Sequence, residues 1–138
     1  MKITSEIKKK LSQIAKKYNL KLIILFGSFA SGKTHKESDL DIAIQYKREP
    51  GSSAFNDELA LIGEFTKIFN GKKVDLCLIN RANPLLLKQI NQNCVLLYGD
   101  LSDFYNFKIY AFNRYNDYKI YFKMESDFVK KQVKKINS

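Results

Sequence analysis

The chain has 138 residues and a formal net charge of +10 at pH 7; 45% of its residues are hydrophobic and 13% are aromatic. This length predicts one domain with one core, and the composition excludes an intrinsically disordered chain. The lysine-rich N-terminus is amphipathic, and no apolar run is long enough for a bilayer, so we expect neither a signal peptide nor a membrane span. Cys77 and Cys94 lack the spacing of a zinc or redox motif and predict free thiols in the cytoplasm.

The first half of the chain predicts two helices and two strands. Within segment 1–20, apolar residues lie on one stripe opposite lysines, which predicts an amphipathic helix. The continuous apolar run 21–26 predicts a strand buried on both faces. After a polar turn with a short helical segment near Phe29, the alternation over residues 39–46 predicts a second strand. A second helix then carries its apolar side chains at Leu59, Ile62, Phe65, Ile68 and Phe69.

The second half predicts two further strands and two further helices. Residues 74–79 and 94–98 are short apolar runs typical of strands. A helix begins at Pro84, because proline is well placed in a first helical turn. The last helix spans residues 103–136. We expect one domain over residues 1–138.

The C-terminal helix is rich in aromatic residues. Apolar side chains recur at alternate steps of three and four, which predicts a seam that the helix would bury. The seam residues that we expect to pack on the sheet are Phe107, Tyr115, Tyr118 and Phe122. Exposed aromatics beside basic residues are typical of a protein-binding surface. The aromatic residues off the seam that predict such a surface are Tyr110, Phe112 and Tyr121.

Three aspartates lie on strands that are otherwise apolar: Asp39, Asp41 and Asp75. Residues two apart on a strand point the same way, roughly 6.6 Å apart along its axis, so Asp39 and Asp41 can converge on a metal ion. Asp75 on a neighbouring strand would close a third side and orient or deprotonate an attacking hydroxyl. Oxygen ligands with open positions suit Mg²⁺, and two ions would also stabilise a leaving pyrophosphate. Taken alone, Asp39 is as well explained by a strand start after a loop.

Gly27 and Ser28 follow the first strand and predict a phosphate-binding turn, because backbone N–H groups and a small hydroxyl can contact a triphosphate there. Residues 27–34 also match the P-loop pattern G-x-x-x-x-G-K-T. A P-loop needs a helix after its lysine and threonine, and only four residues separate Thr34 from Asp39. We therefore reject a P-loop NTPase and assign no role to His35.

The spacing Gly27-Ser28-x10-Asp39-x-Asp41, with Asp75 downstream, resembles the DNA polymerase beta nucleotidyltransferase superfamily. More narrowly, the chain resembles the minimal nucleotidyltransferases of the MntA type, which are antitoxins paired with HEPN-domain toxins. The short length supports this narrower resemblance. The residues that carry it are Asp75-x-x-x-Asn80-Arg81-Ala82, Leu96-Leu97-Tyr98, and Tyr115 with Asp117.

The resemblance implies an α/β fold, with a small mixed sheet of about four strands flanked by helices and a long C-terminal helix. It implies that the three aspartates are catalytic and bind metal, and that Gly27 and Ser28 bind nucleotide phosphate. Members of this kind transfer AMP from ATP, with Mg²⁺, to a tyrosine of a toxin that is commonly a ribonuclease. Many relatives carry arginine where this chain has Ser31, so Lys33 would have to supply that charge.

Two other functions stay open. A nucleotidyltransferase could act on a small molecule or an RNA end, although we expect no extra domain that would shape such an acceptor site. A non-catalytic antitoxin could neutralise its partner by binding alone; the intact acids argue against it and Ser31 argues for it. The expected partners are a HEPN toxin and a nucleoside triphosphate, without a membrane. Lysines near both ends leave nucleic-acid binding open, but solvated helix faces explain them better.

Overall fold

A computed structural model describes residues 2–32 and 38–137 of the chain. Helices and strands alternate through these residues. In chain order they are α1 (Ser5–Lys17), β1 (Leu20–Phe26), α2 (Ser28–Ser31), β2 (Leu40–Tyr46), α3 (Ala54–Ile68), β3 (Val74–Leu78), α4 (Pro84–Gln92), β4 (Cys94–Tyr98) and α5 (Leu101–Ile136). A short 3-10 turn, Ile79–Arg81, joins β3 to the loop before α4. Lys33 and His35 lie outside the described residues.

Local sequence signals set the starts of two helices. The hydroxyl of Thr4 accepts a hydrogen bond from the backbone N–H of Ile7 at 3.2 Å, which caps α1. Asn83 caps α4 in the same way through Leu86 N–H at 2.9 Å, and Pro84 follows it in the first turn. These caps satisfy backbone donors that a helix start leaves unpaired.

The four strands form one mixed sheet in the order β3-β2-β1-β4. Strand β1 pairs antiparallel with β2 and with β4, whereas β2 and β3 are parallel. The expected mixed sheet of about four strands is thus confirmed. Strand β1 lies inside the sheet and buries six of its seven residues, as its continuous apolar run predicts.

Helices cover both faces of the sheet. On one face, α1 and α3 pack through Leu11 and Phe65 against Leu40, Ile42 and Ile44 of β2. On the other face, α4 and α5 pack against the strand residues that alternate with those of the first face. The residues of this second core are Leu22, Ile24, Phe26 and Ala43 from the strands, Leu87 and Ile90 from α4, and Phe107 and Ala111 from α5. The predicted alternation of β2 is therefore correct, and it directs Asp41 toward the face that carries α4 and α5.

Two expectations about helices need correction. Helix α3 begins at Ala54, and it buries Leu61, whereas Leu59 is 54% exposed. Of the four seam residues, Phe107 joins the sheet core, whereas Tyr115 contacts Lys88 of α4 and Tyr118 is half-buried and stacks on Phe122. Phe122 is 57% exposed, because α5 extends past the elements that cover its first half. In the described part of the chain, no helix is both long and apolar enough to cross a membrane. The expectation of a single domain stays a prediction.

Candidate active site

Gly27 lies at the end of β1, where the chain turns into α2, and its backbone touches Asp41. Its φ of +76° is a conformation that L side chains rarely adopt. A Cβ built on Gly27 would overlap Oδ2 of Asp41 and lie 3.1 Å from its Cγ. Strand pairing explains this contact, since Phe26, the last residue of β1, pairs with Asp41 on β2. Glycine is therefore required here both for its φ and for the space it leaves to a carboxylate.

Asp41 and Asp75 are direct neighbours in the sheet. They are paired in the parallel register of β2 and β3, and both belong to the face that carries α4. Neighbouring strands lie about 4.8 Å apart, so the two carboxylates stand side by side. Cys77, two residues after Asp75, packs on the core of the same face. The register brings together two of the three acids that the sequence singles out.

Asp39 occupies a different setting, just before β2 begins at Leu40. Its Oδ2 lies 4.0 Å from Nζ of Lys73, and both side chains are substantially exposed. Lys73 stands opposite Asp39 because Leu40 pairs with Val74 in the parallel register. Sequence reasoning missed Lys73, whose position depends on that register.

A cavity of about 340 Å³ opens over Asp41 and Asp75. Asp39 and Ser28 are not among the residues that line it. The sheet contributes the two acids, Phe26, Gly27 and Cys77, and the opposite wall comes from α4 and the residue after it: Leu86, Gln89, Gln92 and Asn93. These amides are not among the residues predicted from the sequence, although their helical spacing places Gln89 and Gln92 near one face of α4.

Among the described residues that line the cavity, the ionisable groups are two close carboxylates and one thiol. Burial, then the charges of Asp75 and Asp39, raises the pKa of Asp41. Burial, then the charges of Asp75 and Asp41, raises the pKa of the Cys77 thiol to about 11. A thiol with so high a pKa stays protonated at neutral pH and is a poor metal ligand. The donors that the cavity offers are therefore hard oxygens.

These donors fit magnesium better than a transition metal. Magnesium is bound through one or two carboxylates and keeps sites for water and phosphate. Within residues 2–32 and 38–137, no three Asp, Glu, His or Cys side chains converge into a ready-made metal cage. The carboxylate pair of Asp41 and Asp75 is open toward the cavity, which suits an ion that shares its ligands with a substrate.

The turn beside the acids contains Ser28 and Ser31, the first and last residues of α2. Ser31 donates its backbone N–H to the carbonyl of Gly27 and its hydroxyl to the carbonyl of Ser28, both at 3.1 Å. Ser31 thus closes the turn locally. Arg81 is exposed and donates to the carbonyl of Pro50 at 3.4 Å.

Comparison with known proteins gives consistent matches to the sequence and the fold of this chain. The family model described as "Polymerase beta, Nucleotidyltransferase" matches residues 9–103. The chain is 39% identical over 100 residues to a Methanocaldococcus jannaschii protein named "Putative protein adenylyltransferase", covering 69% of this chain and 98% of that one. It is 32% identical over 91 residues to the protein adenylyltransferase MntA of Aphanizomenon flos-aquae, covering 61% of this chain and 60% of that one.

Solved structures share the fold. A chain from the crystal structure of a toxin–antitoxin with AMP-PNP superposes with a TM-score of 0.72 at 23% identity, covering 88% of this chain and 97% of that chain. A second structure, of a tri-AMPylated Shewanella oneidensis HEPN toxin in complex with an MNT antitoxin, contains a chain that matches with a TM-score of 0.67 at 21% identity. It covers 90% of this chain and 96% of that chain.

Proposed function

This chain belongs to the polymerase beta nucleotidyltransferase family, and we propose that it transfers AMP from ATP to a tyrosine of a HEPN-domain toxin and thereby acts as an antitoxin. The observation that carries this proposal is the convergence of Gly27, Asp41 and Asp75 on one cavity. A phosphate-binding turn and a carboxylate pair are the two parts that nucleotidyl transfer needs from a protein.

The turn at Gly27 and Ser28 would bind the triphosphate. The first N–H groups of a helix have no intrahelical acceptor, so those of α2 are available to phosphate oxygens. Gly27 lets these oxygens approach the backbone beside Asp41. Ser28 adds a hydroxyl at the same turn.

The acids would hold the metal. Asp41 and Asp75, with Asp39 from the start of β2, would bind two Mg²⁺ ions. When bound, these ions would neutralise the triphosphate and stabilise the leaving pyrophosphate. Recruiting Asp39 requires that it leave Lys73, and an exposed ion pair of this kind contributes little stability.

The reaction transfers one AMP group to the tyrosine and removes one proton from it. The tyrosine oxygen attacks the α-phosphorus of ATP, and the bond from that phosphorus to the pyrophosphate breaks. A carboxylate oxygen of Asp75 accepts the tyrosine proton. Asp75 is suited to this role because it is exposed, so an incoming side chain can reach it.

The partner and the reaction are supported by named relatives. One relative bears the name protein adenylyltransferase MntA, and structures of the same fold come from a toxin–antitoxin with AMP-PNP and from a complex with a tri-AMPylated HEPN toxin. We place the activity in the cytoplasm, where ATP is abundant and where the unpaired thiols Cys77 and Cys94 stay reduced.

One observation favours a second candidate, a non-catalytic antitoxin that neutralises its partner by binding. Asp39 is paired with Lys73, and this chain has Ser31 where the family resemblance implies an arginine. An experiment with labelled ATP separates the two candidates. We expect label from [α-³²P]ATP, and none from [γ-³²P]ATP, to appear on the proposed HEPN-domain partner when Mg²⁺ is present. Neutralisation of toxicity without label would establish the non-catalytic candidate instead.

A further inference from the structure

One apolar stripe runs along most of α5. At about 100° per residue, its members fall within one sector roughly 80° wide. They are Phe104, Phe107, Ala111, Tyr115, Tyr118, Phe122, Val129, Val133 and Ile136. Glu125 is the one position in this sector after Phe104 that carries a charge.

The two halves of this stripe differ in burial. Phe107 and Ala111 belong to the core and are 4% and 0% exposed. Phe122, Val129 and Ile136 are 57%, 52% and 81% exposed. The same kind of surface is therefore covered in the first half of α5 and open in the second. Contiguous exposed apolar surface of this kind marks a site for another molecule.

The open half is separate from the catalytic part of the chain. The family match ends at residue 103, whereas α5 continues to Ile136. The cavity over Asp41 and Asp75 takes no lining residue from α5. The open half of the stripe therefore has a role other than the chemical step.

The charge around the open half indicates what it binds. Residues 118–137 contain six lysines and two acids. Four of the lysines flank the stripe on one side: Lys119, Lys123, Lys130 and Lys134. A second copy of this helix would bring two positive surfaces together, which is unfavourable, whereas an apolar surface with an acidic rim would be attracted.

Helix α4 connects this surface to the cavity. Lys88 Nζ donates to the hydroxyl of Tyr115 at 3.2 Å, and Asn91 Nδ2 donates to the carbonyl of Lys108 at 3.3 Å. Lys88, in the middle of α4, thus lies beside Tyr115, three residues before the open half begins. Another side of the same helix, with Leu86, lines the cavity. A molecule on the open half would lie about one helix diameter, some 10–12 Å, from the cavity.

We propose that the open half of the stripe, residues 118–136, is the docking surface for the HEPN-domain partner, which contacts it through an apolar surface rimmed by acidic side chains. Docking there holds the acceptor tyrosine beside α4, at the cavity that contains Asp41 and Asp75. This inference rests on the proposed function, because it takes the toxin as the partner.

The test compares two double substitutions in the full-length chain. Phe122→Ser with Val129→Ser changes the stripe. Phe55→Ser with Leu59→Ser changes two residues of α3 that are similarly exposed, at 67% and 54%. Binding of each variant to the proposed HEPN-domain partner is measured by calorimetry at low and high salt. ATP affinity and melting temperature are measured in parallel.

We expect the stripe variant to raise the dissociation constant of the complex by about tenfold or more for each anchor lost. The α3 variant should bind like the parent, and both should keep the parent's ATP affinity and melting temperature. Binding of the parent should weaken with salt, and Lys119→Glu with Lys123→Glu should weaken it further. Unchanged affinity of the stripe variant would overturn the proposal.

The proposed docking surface and the proposed function can be rejected independently of each other. Stripe-dependent binding without AMP transfer would reject the proposed function and leave the docking surface in place. AMP transfer together with an affinity that the stripe substitutions leave unchanged would reject the docking surface alone. Sedimentation that shows a stripe-dependent dimer, or stripe-dependent binding to phosphatidylserine vesicles, with no effect on the HEPN complex, would assign the surface to another occupant and overturn the proposal.

Discussion

The backbone of Gly27 lies directly against the carboxylate of Asp41, and a Cβ on Gly27 would overlap Oδ2 of that carboxylate. The phosphate-binding turn and the metal-binding strand of the proposed mechanism therefore meet at one contact. Any displacement of Asp41 at this contact also changes the position of the turn.

Gly27→Ala is expected to reduce AMP transfer by at least about a hundredfold, because a misplaced catalytic group costs on that order. Gly71→Ala is the matched control, since Gly71 also has a positive φ, of +80°, but meets nothing within 4 Å. Both variants should lose about 1 kcal/mol of unfolding free energy from the strained φ, and Gly27→Ala should lose more because its Cβ also overlaps Asp41. Denaturant titration and transfer rates check both statements. Equal losses of activity in the two variants would contradict the role of the Asp41 contact.

Asp41→Asn should abolish transfer and stabilise the metal-free protein at neutral pH. The pKa of Asp41 is raised above its ordinary 3.8, so ionisation costs the folded state free energy. The contribution of Asp41 to folding stability is therefore greatest below the ordinary pKa, and it is lost as the pH rises through the raised pKa of the folded state. The advantage of the variant should be present at pH 7 and vanish near pH 3. Melting curves at both pH values, with Asp127→Asn as control, test this. A variant less stable than its parent at pH 7 would contradict it.

Lys73→Gln should lower the Mg²⁺ concentration that half-saturates transfer, by about two- to fivefold, because the lysine competes for Asp39 through an exposed ion pair. Folding stability should change by less than about 1 kcal/mol. Lys67→Gln, which removes the same charge from α3, is the control. A Mg²⁺ titration of the transfer rate is the measurement. A higher half-saturating Mg²⁺ concentration in the Lys73 variant would contradict this and show that the lysine assists metal binding.

Replacement of Ser28 by leucine should abolish transfer, whereas Lys33→Ala should weaken ATP binding only modestly. The turn contributes backbone N–H groups and a small hydroxyl, which a bulky side chain would obstruct. In a P-loop the lysine contacts phosphates directly and the order would be reversed. ATP affinities measured by calorimetry distinguish the two interpretations. A loss in Lys33→Ala as severe as that in Asp41→Asn would restore the P-loop interpretation.

Tyr110→Ala with Tyr121→Ala should leave the melting temperature nearly unchanged, because the two rings are 52% and 69% exposed. They lie just outside the stripe, on the side opposite the four flanking lysines, and a partner docked on the stripe would contact them as well. We expect a weaker complex with the HEPN protein. A large drop in melting temperature with unaltered binding would show instead that these rings support the fold.

Much of the fold and part of the site follow from local sequence patterns. The period-two alternation places Asp41 opposite Ile42, and the continuous run in β1 marks a strand inside the sheet. The Gly27-Ser28 pair after an apolar run predicts the turn at the end of β1. These features depend on neighbours in sequence, and so they were accessible before the structure.

Other features depend on contacts between distant segments. Lys73 faces Asp39 because β2 and β3 are parallel in a particular register. Phe122 repeats the spacing of the buried Phe107, yet it is exposed because nothing in the described chain covers that part of α5. Periodicity identifies an apolar face but not what covers it. The unexpected exposure of Phe122 leads directly to the proposed docking surface.

Intact-mass spectrometry of the HEPN partner tests the central claim most directly. The partner is incubated with ATP, Mg²⁺ and either the parent chain or Asp41→Asn, and then digested to locate any modified residue. The proposed function predicts a gain of one or more AMP groups on tyrosine with the parent and none with the variant. An unmodified partner with the parent, or equal modification with Asp41→Asn, would contradict it.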